Sequence, residues 1–196
     1  MQKTGEHSMA QAKTFTQAEL DQVIRHVATT RYSQRNRAMV LMSFWSGMRV
    51  GEIAALLVSD VRNEDGTVKS EVRLTAQQTK GRYARTVFIN ERLREELAQY
   101  FKTARIRDPQ HPLFFTEQRK GWSANTLTQW FYWCYKRAGI TGASSHSGRR
   151  TFITNLASKG VGVRVLASLA GHRSITVTQR YIDVNDDMQR RAVELV

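Results

Sequence analysis

A single cysteine, Cys134, occurs in the 196 residues, so the chain can close no internal disulfide and offers no Cys-rich zinc site. Nothing in this cysteine usage asks for an oxidising compartment, and a cytoplasmic location is expected. Apolar runs are short, none approaching the length of a membrane-crossing helix, and no membrane partner is expected. The polar stretch Met1 to Lys13 lacks the apolar core of a signal peptide and reads as a flexible lead-in. Acidic residues are scarce: 17 Asp and Glu face 30 Lys and Arg, a formal charge of +13. From Pro109 to Tyr181 there are ten Lys or Arg and one acid, Glu117. An almost unopposed positive field suits a polyanion, with nucleic acid first and an acidic membrane surface second. Internal repeats, low-complexity tracts, a Walker loop and a carboxylate cluster for Mg²⁺ are all missing, so no metal or cofactor is expected.

What is present is a helical pattern with one strand pair. Thr16 and Glu19 form a capping box opening a helix through about Ala28, with Leu20, Val23, Ile24 and Val27 on one face. A second helix is expected from Ser33 to Trp45, and a third should carry Ile53, Leu56 and Leu57. Between them, Gly47 and Gly51 flank Arg49 at a helix junction. Val68 to Leu74 and Thr86 to Ile89 read as strands, joined through Gln78 to Arg82 with Lys80 at the hairpin. Asn90 caps a helix ended by Asp108-Pro109, Pro112 to Thr116 looks extended, and Ser123 caps a helix stopped by Gly139. Ser144-Ser145 opens another helix, Val163 to Ala170 a short one ended by Gly171, and a last turn or two carries Tyr181. The aromatics Trp122, Trp130, Phe131, Tyr132, Trp133 and Tyr135 are assigned to packing. The expected architecture is mainly α with a small antiparallel β-sheet, an α+β fold. One domain spans 14–185, and an amphipathic tail spans 186–196, with Met188, Ala192, Val193 and Leu195 apolar.

His146 and Arg149 stand at i and i+3, a spacing that points both side chains to one side of a helix and turns Arg150 away. With Ser145 as cap, His146 falls in the first turn, where free N–H groups favour an anion. Each candidate also has an ordinary explanation. His146 to Arg149 could be a capping segment, Arg49 could pair with Glu52, Lys80 could be a solvated turn lysine, His172 a capping residue and Tyr181 a half-buried aromatic. A phenol is almost wholly protonated at neutral pH, so a tyrosine nucleophile needs cationic neighbours and a base.

Taken in chain order, the candidates change the odds. Gly47-Met48-Arg49-Val50-Gly51-Glu52, Thr79-Lys80-Gly81, Ser145 to Phe152, Ala170-Gly171-His172 and Tyr181 resemble the catalytic series of tyrosine recombinases of the phage integrase type. The resemblance covers nearly the whole chain from Thr16. It implies site-specific DNA strand cleavage and rejoining through a 3′-phosphotyrosine on Tyr181, leading to integration, excision or inversion. Arg49 and Arg149 would clamp nonbridging oxygens, His172 would add a hydrogen bond, Lys80 would protonate the leaving 5′-oxygen, and His146 would help accept the tyrosine proton. Glu52 would orient the site, and Arg82, Arg150 and Arg173 would contact DNA.

The same resemblance implies double-stranded DNA as partner, no cofactor, four protomers around two duplexes, and room for an accessory directionality factor. Its C-terminal segment would dock in cis or on a neighbour. Relatives usually carry an N-terminal DNA-clamping domain, which is not expected here, so DNA affinity should be lower and more salt-sensitive. Ala170 stands where leucine is commoner, and Arg150 where relatives often have histidine. Two other functions fit the same residues: a noncatalytic DNA-binding regulator of the same fold, and DNA relaxation of the type IB topoisomerase kind.

Overall fold

The computed structural model describes residues 12–182 and 186–194. It contains α1 (Gln17–Ala28), α2 (Ser33–Ser46), α3 (Val50–Ala54), α4 (Val58–Val61), β1 (Glu71–Leu74) and β2 (Arg85–Phe88). There follow α5 (Glu91–Ala104), α6 (Ala124–Arg137), α7 (Ser147–Ser158), α8 (Val163–Ala170), α9 (Ile175–Gln179) and α10 (Asp186–Val193). The fold is mainly helical with one two-stranded antiparallel sheet, as the sequence pattern implies.

The centre is α2, packed by α1, α3, α5 and α7. Ala38 through Phe44 are all buried, so this helix has no solvent face over two turns and reads as a core helix rather than an amphipathic one. The helices around it carry one-sided apolar stripes. In α1 the Thr16–Glu19 capping box closes reciprocally and Leu20, Val23 and Val27 turn inward. In α5, Asn90 accepts from the Leu93 amide at 2.9 Å and caps the helix that buries Leu93, Leu97, Tyr100 and Phe101. Strand alternation places Val72, Leu74 and Val87 inside, with Leu74 opposite Arg85.

Several boundaries differ from the sequence expectation. The third helix stops at Ala54, because the Leu56 carbonyl accepts from the Leu113 amide at 2.8 Å and Leu57 pairs with Pro112. The first strand begins at Glu71 rather than Val68, since Val68 bridges to Arg62 and the Lys69 amide donates to Val61. The fifth helix ends at Arg105 in a left-handed conformation, short of Asp108-Pro109. Among the aromatics, Phe131 and Tyr135 are buried and Trp122 and Trp130 pack on the core. Tyr132 and Trp133, however, are 43% and 45% exposed, set edge to face with Lys136 over both rings, so packing does not account for them.

Residues 1–11 of the expected lead-in lie outside the described residues. Lys13 is held by its ion pair with Glu19 and by its backbone N–H, which donates to the Gly142 carbonyl. In the tail, Ala192 and Val193 are exposed, while the Met188 side chain and Leu195 fall outside the described residues. Among the described residues, no helix is long and apolar enough to cross a membrane, and no group of three His, Cys, Asp or Glu could hold a metal.

Candidate active site

Four chain segments meet at one cleft of about 430 Å³, lined by Arg49, His146, Arg149, Arg150, His172, Arg180 and Tyr181, with Ala12 and Val177. A wider cleft of about 570 Å³ elsewhere, bounded by Tyr32, Arg35, Trp122 and Trp133, holds none of the candidate residues.

Arg49 is the cap residue of α3, delivered there by the left-handed turn at Gly47 that ends α2. Its amide donates to Glu52 Oε2 at 2.8 Å and its guanidinium to Glu52 Oε1 at 3.0 Å. Glu52 is only 1% exposed, and its carboxylate also receives a two-pronged contact from Arg85, at 3.2 Å from Nε and 2.8 Å from Nη2. Arg85 reaches on to the Leu169 carbonyl at 2.9 Å. One buried carboxylate therefore ties α3, β2 and the end of α8 together. Burial alone would raise the Glu52 carboxyl, but hydrogen bonding and charge from Arg85, then from Arg49, outweigh it and hold the group below its ordinary value.

Arg149 enters from the first turn of α7 and is buried, donating to the Gly47 carbonyl at 2.8 Å and to the Ala170 carbonyl. Burial, then the neighbouring charge of Arg49, push it down to about 9, which leaves it charged at neutral pH. His146 is the cap residue of α7 rather than a first-turn residue. The helix begins at Ser147, whose hydroxyl accepts from the Ser144 amide at 3.0 Å, and the cap residue makes no side-chain capping bond, so the cap expected of Ser145 is not formed. Burial, followed by Arg149, Lys80 and Arg49, lowers the His146 imidazole.

At the end of α8, Gly171 is left-handed (φ +62°), and a Cβ there would meet Arg85 Cδ at 2.6 Å. The turn it makes sets His172 into the cleft, with Nδ1 at 2.9 Å from Thr178 Oγ1. Burial, then Arg149, Arg49 and Arg85, hold His172 down to about 4, so it is neutral at physiological pH. Tyr181 lies two residues beyond α9, its ring stacked on His172 with centroids 5.7 Å apart. Arg150 is not turned away: its guanidinium lies 5.3 Å over the Tyr181 ring.

Arg49, His146, Arg149, His172 and Tyr181 thus converge, with Glu52 beneath them. Lys80 is exposed on the β1–β2 connection and does not line the cleft, although its charge is felt at His146. Arg82 is exposed with φ +53°, and Arg173 stacks over Tyr83 at 4.4 Å, both outside the cleft lining. Sequence reasoning missed Arg85, Thr178 and Arg180. Arg85 pairs with a carboxylate 33 positions away, and nothing in its local pattern marks it. Thr178 offered only its place three residues before Tyr181.

Such a cleft can bind a phosphodiester through fixed guanidiniums, offer it two imidazoles, and present a phenol to the phosphorus. The chain matches the phage integrase family over residues 13–188. It is 29% identical over 186 residues to the tyrosine recombinase XerA of Pyrococcus furiosus, an alignment covering 93% of this chain and 61% of that protein. It therefore spans about three fifths of that relative's length. In fold it is similar to the crystal structure of XerA recombinase, with a TM-score of 0.74 and 23% identity, over 98% of this chain and 66% of that one. It is also similar to the Tn1549 transposon integrase in complex with transposon right end DNA, with a TM-score of 0.73 and 19% identity, over 97% and 68% of the two chains. With Arg49, His146, Arg149, His172 and Tyr181 gathered at one cleft and nearly its whole length matched, the chain belongs to the phage integrase family.

Proposed function

We propose that the chain cleaves and rejoins strands of double-stranded DNA in site-specific recombination, through a covalent bond between Tyr181 and a backbone phosphate. One observation carries the reading: Arg49, His146, Arg149, His172 and Tyr181 line a single cleft, beside which the Glu52 carboxylate is buried and paired with two arginines. The Tyr181 oxygen attacks phosphorus, an O–P bond forms, and the bond to the 5′-oxygen breaks. Arg49 and Arg149 bind the nonbridging oxygens, where negative charge gathers in the transition state. His172 adds a hydrogen bond to the same oxygens. His146, kept neutral by its burial and cationic neighbours, accepts the phenolic proton. Lys80, exposed on its hairpin, gives a proton to the departing 5′-oxygen. Glu52 holds Arg49 in register, while Arg82, Arg150 and Arg173 add positive charge for the flanking phosphates.

The phosphotyrosine keeps the energy of the broken bond, so religation by the 5′-hydroxyl needs no nucleotide cofactor. Each protomer brings one tyrosine and cuts one strand, so exchange between two duplexes takes four protomers, with an accessory factor free to set direction. The assignment is tested with a duplex nicked near the cleavage position, which traps the covalent complex by losing the attacking 5′-end. The wild-type chain should form a denaturant-resistant adduct and Tyr181→Phe none. Arg149→Ala should slow adduct formation about 10²–10³-fold, as loss of an oxyanion donor does. An adduct that survives Tyr181→Phe would sink the reading, and relaxation of plasmids of any sequence without strand exchange would favour the topoisomerase alternative.

A further inference from the structure

Thr178, in α9, is 0% exposed. Buried hydroxyls in helices commonly donate to the carbonyl four residues back, as Thr151 does to Ser147 at 2.8 Å. Thr178 instead turns to His172: its Oγ1 lies 2.9 Å from Nδ1, and among the described residues this is the one hydrogen bond of that hydroxyl. The identity of the donor follows from valence. A neutral imidazole carries one proton, on Nδ1 or on Nε2. If Nδ1 carried it, Nδ1–H would donate to Oγ1 and the buried threonine hydrogen would have no acceptor among the described residues. If Nε2 carries it, Nδ1 accepts from the hydroxyl and both groups are matched. We propose that Thr178 is a positioning residue that fixes His172 as the Nε2–H tautomer, so that this histidine presents to the cleft a hydrogen-bond donor and never a proton acceptor.

The surroundings leave tautomer as the one remaining choice. Burial and three arginines keep the ring uncharged at physiological pH, and stacking on Tyr181 at 5.7 Å limits its tilt. With Nδ1 engaged by Thr178, Nε2 is the nitrogen left for a ligand. The consequence divides the labour of the two histidines: His172 donates to a phosphate oxygen, and the tyrosine proton goes to His146. This division rests on the strand-cleavage reading of the site, whereas the tautomer does not.

The test is a long-range ¹H–¹⁵N spectrum of the uniformly labelled chain without DNA at neutral pH, with the His172 pattern assigned by its loss in His172→Gln. Wild type should show a protonated Nε2 and an unprotonated Nδ1. Thr178→Val, which keeps the shape and deletes the donor, should give a mixture, and Thr178→Ser should restore the wild-type pattern. A protonated Nδ1 in wild type, or a valine variant indistinguishable from it, would overturn the proposal. Should the valine variant fail to fold, the wild-type spectrum alone decides the tautomer. In the trapping assay Thr178→Val should slow adduct formation roughly tenfold, with DNA affinity unchanged and rescue by serine. Unaltered cleavage in the valine variant would remove the positioning role. Since the spectrum is read without DNA, a wild-type chain that makes no adduct would count against strand cleavage and leave the tautomer standing.

Discussion

Glu52 is the residue on which the cationic side of the cleft depends, because it is the carboxylate that holds Arg49 and Arg85 in place. Removing the shared anion of such a buried cluster leaves the guanidiniums without their counter-charge, and Glu52→Ala should cost about 3–5 kcal/mol in urea denaturation. Replacement of both Glu52 and Arg85 by apolar residues should recover part of that loss, while disorganising Arg49. The histidines give the site a pH signature. His172 is held at about 4, below the ordinary 6.5, so above 6.5 it is neutral in both folded and unfolded chains. As pH falls from 6.5 toward 4, the unfolded chain takes up a proton that the folded one refuses, and stability declines across that window. His146 acts in the same direction. The lowered Glu52 carboxyl stabilises above its ordinary 4.5 and loses that contribution as acid protonates it. The urea midpoint should therefore drop steadily on acidification from neutrality, and His172→Gln should flatten the part between 6.5 and 4. A wild-type midpoint that is flat or rises there contradicts this electrostatic picture. Arg49, His146, Arg149, His172 and Tyr181 could be picked out from sequence because their motifs are local and follow in order. Arg85 and Thr178 could not, because what matters about them is a buried partner that only the folded chain brings near.

Helix packing delivers Arg149 to the cleft. Gly148, beside it in α7, lies against α2 so closely that a Cβ would meet Ser43 Oγ at 2.3 Å and Phe44 Cδ2 at 3.0 Å. Gly148→Ala must push α7 away from the central helix, at an expected cost of about 1–3 kcal/mol by calorimetry, typical of overpacking. The shift carries Arg149 with it, so adduct formation should fall further than stability alone explains. Thermal stability and cleavage both equal to wild type would show that the interface has slack. Helix starts were readable in the sequence where Thr16, Asn90 and Ser123 cap their own helices. The starts and stops that escaped are set by distant backbone. The Leu56 carbonyl, for instance, is taken by the Leu113 amide across 57 positions.

At the scale of the whole molecule, the charge of +13 and the positive stretch before Tyr181 should make duplex binding fall linearly with salt on logarithmic axes, with a slope counting the phosphates neutralised. The double mutant Arg82→Ala and Arg173→Ala should make that slope shallower, whereas Tyr181→Phe should leave it alone. Affinity indifferent to salt would remove the electrostatic account of binding. Charge was legible from composition, but its arrangement was not: Arg150, expected to point away, covers the Tyr181 ring. The central claim concerns one of the six tyrosines in the chain. Protease digestion of the trapped adduct, followed by mass spectrometry of the DNA-linked peptide, identifies the attached residue and the strand end it holds. The account predicts a linkage from Tyr181 to a 3′-phosphate with a free 5′-hydroxyl across the break. A linkage at any other residue, or to a 5′-phosphate, would contradict it.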